Sequence, residues 1–362
     1  MHYALRVLIV LVILGVAGCA QKRATRAPAA PKTTAWLSTA GNRIVDSRGQ
    51  IWMGRGANLH DTRSCSACTF DPPGATLVRE VKRRADALAD DWGANLIRLN
   101  LESHSQTKGV DQNLRHYGGV LDDPGYLAEV VEIVRHIGEK PGVYVLLSLW
   151  EEPSFDQELA IPTSRTQQIW RLLAAVFARD AHVIYGLANE PRNQDGMQDA
   201  RVWQAMNDAV TAIREVEQRA GAKPHLIAVQ GTRAYGRDLA YYLDHPITAG
   251  SGANIIYETH VYNPQSDFER LVLNPAKTLP VIIGEFGPVT GLNSGEMSLK
   301  DCAALMNLAE QQRIPYTAWT FHMRCPPNLL EDPNPLSCGV GMPLKPTAWG
   351  QLVRSRLRGA RK

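Results

Sequence analysis

What the 362-residue chain most lacks is a charge imbalance: 39 Lys and Arg stand against 36 Asp and Glu, a formal net charge of +3. No long run of basic residues concentrates that small excess, so a nucleic-acid partner is not expected. A polar or neutral substrate suits this balance better than a polyanion, with polyanionic glycans left open because local charge can differ from the sum. Long apolar runs are missing too. The run Val7–Ala17 falls well short of the roughly 20 residues a membrane-spanning helix needs. Metal-ligand clusters are also wanting. Cys65-Ser-Ala-Cys68 has no histidine partners to complete a site, and neither a metal nor another cofactor is expected. No low-complexity stretch divides the chain beyond its N-terminal segment, and an apolar content of 44% is ample for one large core.

The N-terminus reads as a targeting device. Arg6, the run Val7–Ala17 and then Gly18-Cys19 match an export signal. Val16-Ala-Gly-Cys19 is similar to a bacterial lipobox, which implies that Cys19 becomes a lipidated first residue; an ordinary signal peptide with Cys19 incidental is the alternative. The expected organisation is a lipoprotein signal peptide at 1–18, a flexible tether at 19–34 and a folded domain at 35–362. A lipid-anchored protein of the bacterial cell envelope is expected, as a monomer. Export permits disulfides. Cys302 falls in a helical pattern and reads as a buried free thiol, whereas Cys65, Cys68, Cys325 and Cys338 lie in Gly/Pro-rich loops. The simplest pairing is Cys65 with Cys68 and Cys325 with Cys338, and cross-pairing stays open.

Residues 42–46 and 50–54 flank Ser47-Arg-Gly49 and read as a β-hairpin. Beyond it, apolar strands near 51–56, 95–100, 143–148, 183–187, 225–229, 255–259, 281–284 and 316–321 alternate with helical patterns. The helices are expected at 77–91, 126–139, 165–177, 198–220, 237–243, 267–273, 299–312 and 347–358. Eight strand-then-helix units predict an α/β protein, a (β/α)8 TIM barrel with a short N-terminal β-hairpin. An open doubly wound sheet is the competing architecture.

In such barrels chemistry sits at the C-terminal ends of the strands. The fourth strand pattern ends in Asn189-Glu190-Pro191 and the seventh in Glu285-Phe-Gly287. Two carboxylates at one rim suit glycoside cleavage, where one protonates the leaving oxygen and the other attacks or activates water. Arg98 and Asn100 share one face of the second strand, and His260 and Tyr262 share one face of the sixth. An arginine inside an apolar strand is costly unless a carboxylate pairs with it, and that pairing would keep a glutamate ionised. Each residue alone has a structural reading as an ion pair, core histidine, packed Trp319 or turn. Their joint occurrence at one end of parallel strands favours the site.

The triplet Asn189-Glu190-Pro191, the His260-x-Tyr262 pair and Gly284-Glu-Phe-Gly287, with 41–58 at the start, resemble glycoside hydrolase family 5, the cellulase-like family of clan A. The resemblance runs from Trp36 to Arg358. It implies that Glu190 is the acid/base and Glu285 the nucleophile, with Asn189 at the 2-hydroxyl of the reacting sugar. It further implies that Arg98 and Tyr262 bond Glu285, that His260 sits beside Glu190, and that Trp319 stacks under the sugar, followed by a cis peptide. A third-strand histidine usual in the family is replaced by Trp150, which makes this a divergent subfamily and Trp150 a candidate stacking surface or else a core residue. Glu151 and Glu152 are further rim candidates, and His60-Asp61 is expected to line the cleft. The expected reaction is endo-acting, retaining hydrolysis of a β-linked glucan or related polysaccharide. Transglycosylation, exo action and a non-catalytic glycan-binding lipoprotein remain alternatives.

Overall fold

Eight strand patterns predict a barrel, and the computed structural model closes one. It describes residues 34–63, 76–102, 107–108, 114–115, 118–291, 295–333 and 339–360. The expected signal peptide and nearly all of the tether, Cys19 included, lie outside these residues, as do Cys65, Cys68 and Cys338. The barrel strands are β1 (Arg55–His60), β2 (Leu96–Glu102), β3 (Tyr144–Glu151), β4 (Val183–Gly186), β5 (Ile227–Gln230), β6 (Ile255–Val261), β7 (Val281–Phe286) and β8 (Tyr316–Ala318). Each runs parallel to the next, and β8 returns to β1 through Tyr316↔Arg55, Thr317↔Gly56 and Ala318↔Ala57. That closing pair excludes the open sheet. Gly56 is required there, because a Cβ on it would lie 1.6 Å from the Leu96 carbonyl oxygen.

The outer helices are α1 (Val78–Asp86), α2 (Pro124–Gly138), α3 (Ser164–Val176), α4 (Asp199–Arg219), α5 (Tyr241–Asp244), α6 (Asn274–Ala276), α7 (Leu299–Gln312) and α8 (Ala348–Gly359). Their starts are written in side chains. Asp123 accepts from the Gly125 and Tyr126 amides ahead of α2, while Thr163 and Ser298 form capping boxes on α3 and α7. In α7, Cys302 is a buried free thiol, pushed up to about 12 by burial. Cys325 is fully buried and disulfide-bonded, and the remaining cysteines of the expected pairings fall outside the described residues. No helix among the described residues is long and apolar enough to cross a membrane.

Two expectations shift. The hairpin strands are Ser38–Ala40 and Arg43–Val45, and the segment at 51–54 joins them only through the Val45↔Ile51 bridge and a Trp52 N–H to Ile44 carbonyl bond. Consequently the first barrel strand begins at Arg55 rather than Ile51, and His60 is its last residue instead of a loop residue.

Alternation along the strands positions the site. In β2, Ile97, Leu99 and Leu101 pack outward against the helices, while Leu96, Arg98 and Asn100 face the barrel axis. Leu96, Leu146, Ile184, Ala228, Ile256 and Ile282 make an apolar layer across the N-terminal end, covered by Leu37 and Ile44. One step along the same strands the inward residues become polar: Arg98, Ser148, Gln230 and Glu258, all fully buried. Strand β7 would send Gly284 inward and Glu285 outward by simple alternation. Instead the register slips, with Thr259 opposite Ile283 and His260 opposite Glu285. The bulge turns the Glu285 carboxylate into the barrel, as bulges beside active sites often do.

Candidate active site

The guanidinium of Arg98 lies at the centre of the polar layer and is fully buried. Its Nη1 donates to Glu285 Oε1 at 2.8 Å, to Asn100 Oδ1 at 2.8 Å and to Asn58 Oδ1 at 2.9 Å. Nη2 donates to Asn189 Oδ1 at 3.0 Å, and Nε lies 2.9 Å from Glu258 Oε1. The expected cost of an arginine in an apolar strand is therefore offset by two carboxylates, one more than the sequence reading supplied.

Glu285 is 3% exposed. Its other oxygen, Oε2, accepts from the Tyr262 hydroxyl at 3.0 Å and lies 3.4 Å from His260 Nδ1. Burial pushes the Glu285 carboxyl up and Glu190 adds to the rise, against His260, Arg98 and the Tyr262 bond, which pull it down. Burial and Glu285 together hold the Tyr262 phenol well above its ordinary range, so it stays a donor.

Glu190 sits in the loop after β4 with a left-handed backbone, φ 51°. For a non-glycine residue this is a strained conformation of the kind that marks functional sites. The Gln230 amide oxygen holds it there by accepting from the Glu190 N–H at 2.9 Å. The carboxylate is 30% exposed, facing the opening, and its Oε1 lies 2.9 Å from His260 Nδ1. A carboxylate oxygen of Glu190 and one of Glu285 approach within 4.8 Å.

His260 is enclosed by Glu190 from the β4 loop, Gln230 from β5, Glu258 from its own strand, Glu285 from β7 and Arg98 from β2. Burial works against a charged ring, but Glu285, Glu190 and Glu258 outweigh it and push the imidazole up to about 9. Glu190, His260 and Glu285 could offer three donor atoms to a cation. Arg98 at 2.8 Å from Glu285 and a protonated His260 would repel one, so this donor set suits a carboxylate pair better than a metal.

These groups border a cavity of about 230 Å³, lined also by Trp150, Tyr235, Arg237, Tyr262 and Trp319. Trp150 and Trp319 stand as neighbouring indoles with centroids 5.4 Å apart. The Trp319 carbonyl accepts from Trp349 Nε1 at 2.8 Å, and the Trp319–Thr320 peptide is cis. Trp150 lines the cavity. His60 does not line it. As the terminal residue of β1 it is buried behind the indoles, edge-on to Trp150 at 5.4 Å and Trp319 at 5.2 Å, with Nδ1 bonded to Glu102. Asp61 is buried as well. It accepts from the Tyr126 hydroxyl, and burial plus the charge of Glu102 push it up to about 6. Glu152 accepts from the Ser154 amide at 3.0 Å within its own turn, and the Glu151 side chain is not among those described.

Sequence reasoning missed Asn58, Gln230, Glu258, Tyr235 and Arg237. The signal for Glu258 was present: it shares the inward phase of Ile256 and His260, and a carboxylate in an apolar strand asks for a partner as Arg98 does. Tyr235 and Arg237 belong to a loop in which Ala234, Tyr235 and Gly236 all have positive φ, a geometry their composition does not announce.

The family described as cellulase (glycosyl hydrolase family 5) matches residues 70–324, more than half of the chain. Endoglucanase E-5 of Thermobifida fusca is 23% identical over 339 residues, covering 89% of this chain and 63% of its own length. Endoglucanase MaCel5A of Microbulbifer sp. is 25% identical over 248 residues, covering 65% of this chain and 43% of its own. The chain thus spans 43% to 63% of the length of these relatives. Among solved structures, the β-glucanase SdGluc5_26A of Saccharophagus degradans in complex with cellotetraose superposes with a TM-score of 0.67 at 21% identity. That match covers 91% of this chain and 95% of the other.

Proposed function

The chain belongs to glycosyl hydrolase family 5, and from that premise we propose that it hydrolyses a β-linked glucan or related polysaccharide with retention, cutting within the polymer. The single observation that carries the reading is the approach of the Glu190 and Glu285 carboxylates to within 4.8 Å across one cavity. Retaining glycosidases keep their carboxyl groups about 5–5.5 Å apart, whereas inverting enzymes leave roughly 6.5–9.5 Å for a water.

The two carboxylates have environments suited to different tasks. Glu285 receives donors at both oxygens, from Arg98 and Tyr262, which hold an ionised carboxylate in one orientation for attack on the anomeric carbon. Glu190 faces the opening, where it can give a proton to the glycosidic oxygen as Glu285 attacks. A covalent glycosyl-enzyme forms and the leaving chain departs with that proton. Glu190, now a base, takes a proton from water as the water attacks the same carbon and frees Glu285. Asn189, which precedes Glu190 and accepts from Arg98 at 3.0 Å, is the residue proposed to bind the 2-hydroxyl of the reacting sugar, and Trp319 with Trp150 supplies apolar wall.

The test is digestion of a panel of β-linked polysaccharides by the soluble domain, with products followed by NMR. New reducing ends are expected first as the β anomer, with a spread of oligosaccharide lengths. First appearance of the α anomer would overturn retention, and release of a single product from chain ends would replace endo with exo action.

Anchoring belongs to the same proposal and rests on the sequence of residues 1–19. Cells supplied with a labelled fatty acid should incorporate it into the full chain, and Cys19→Ser should abolish the label and release the protein from the membrane fraction. Equal labelling of both would remove Cys19 as the attachment point, and no labelling of either would remove the anchor.

A further inference from the structure

Glu258 is a fully buried carboxylate that the hydrolytic mechanism does not use. Its Oε1 lies between the Arg98 guanidinium and the His260 ring, 2.9 Å from Arg98 Nε and 3.1 Å from His260 Nε2. Each of those groups reaches a proposed catalytic carboxylate on its far side: Arg98 touches Glu285 at 2.8 Å, and His260 touches Glu190 at 2.9 Å. The chain makes room for this acid. A Cβ at Gly284 would lie 1.9 Å from Glu258 Oε1, so the bulge glycine beside Glu285 is also what admits Glu258.

Charge counting decides what the acid does. Glu190, Glu258 and Glu285 converge on His260, with Arg98 as the fixed cation among them. With Glu190 carrying its proton as the acid, a neutral imidazole would leave the cluster one uncompensated negative charge, largely out of water. A protonated ring brings the sum to zero. Gln230 presents the competing arrangement. Its amide nitrogen lies 2.8 Å from His260 Nε2 while its oxygen accepts from the Glu190 N–H, so a neutral ring could accept at Nε2 instead. The anionic oxygen at Nε2 favours the protonated ring, because a charge-assisted bond in a buried site is stronger than one from a neutral amide.

We infer that Glu258 is a positioning residue: it holds His260 as an imidazolium donating to Glu190, and thereby sets the upper pH limit of the reaction. The inference rests on the acid/base reading of Glu190. An imidazolium puts a positive charge 2.9 Å from the acid/base carboxylate, which works against the proton the acid step needs there. Glu258→Gln removes one distant negative charge and, with it, the nearer positive charge on His260. The loss of the nearer charge dominates, and activity should persist to higher pH.

The experiment pairs nitrogen-15 NMR of the histidine rings with pH–rate profiles. In the unaltered protein at pH 7 the His260 ring is expected with both nitrogens protonated. In Glu258→Gln it should be neutral at pH 7, and the basic limb of kcat/KM should move up by roughly one pH unit. A residue with a merely structural role would lower Tm or kcat without moving that limb. A neutral His260 at pH 7 in the unaltered protein overturns the inference even if the variant fails to fold. So does an unmoved or acid-shifted limb. The ring titration does not depend on turnover, so failure of the hydrolase reading would show as inactivity with the imidazolium still present.

Discussion

Glu285→Gln is expected to lower kcat/KM by about 10⁴-fold or more on any substrate the unaltered enzyme cleaves, because it removes the attacking atom and not a binding contact. Folding should be little affected. The amide oxygen can accept from Arg98, and the Tyr262 hydroxyl can rotate to accept from the amide nitrogen, so neither donor loses all partners. Circular dichroism and Tm beside steady-state rates separate the two effects. Glu190→Gln should differ in kind. With an aryl leaving group that departs without a proton, its first step survives while the second slows, whereas Glu285→Gln fails on every leaving group. Unchanged turnover in Glu285→Gln would remove the nucleophile assignment.

Arg98→Leu is expected to have the largest effect on stability, a loss of about 3–5 kcal/mol at neutral pH, because it leaves Glu258 and Glu285 buried without their shared cation. The pH dependence has a definite sign. Despite burial, Arg98, His260 and Gln230 hold Glu258 below its ordinary value, so its favourable contribution is present above the unfolded carboxyl range and is lost as pH falls through the lowered value. Without Arg98 that advantage shrinks, and the cost of ionising Glu285, already raised by burial, grows as pH rises above about 4.5. The difference in urea midpoint between the unaltered protein and Arg98→Leu should therefore widen between pH 4.5 and pH 7.5. A constant gap, or a narrower one at pH 7.5, would show that Arg98 acts by packing.

Much of this arrangement is legible in the sequence because strand alternation is a strong constraint. Apolar runs that stop at Glu190 and Glu285, a charged residue inside the second run, and the common phase of His260 and Tyr262 all survive translation into three dimensions. The Gly284 bulge does not, since alternation within β7 alone would turn Glu285 outward, and only its register against β6 shows the slip. The first barrel strand starts later than its composition implies for a related reason. Ile51 and Trp52 have strand composition, but their backbone contacts go to the hairpin, and the Met53 carbonyl accepts from the Asn95 side chain. Helix α5 shrinks to four residues, whereas the expected sixth helix is present as a wider helical turn over Glu269–Leu273 that runs on into α6. Strand-end contacts between remote segments, such as Gln230 on the Glu190 amide, leave no local pattern at all.

The measurement closest to the central claim is mass spectrometry of the protein after exposure to an activated 2-fluoro glycoside of the sugar it cleaves. The electron-withdrawing fluorine destabilises the oxocarbenium-like transition states, and a good leaving group lets the glycosyl-enzyme form faster than water releases it. One added glycosyl mass on the peptide carrying Glu285, absent in Glu285→Gln, is the predicted result. A sugar attached to another residue, or turnover with no covalent adduct on Glu285, would contradict it.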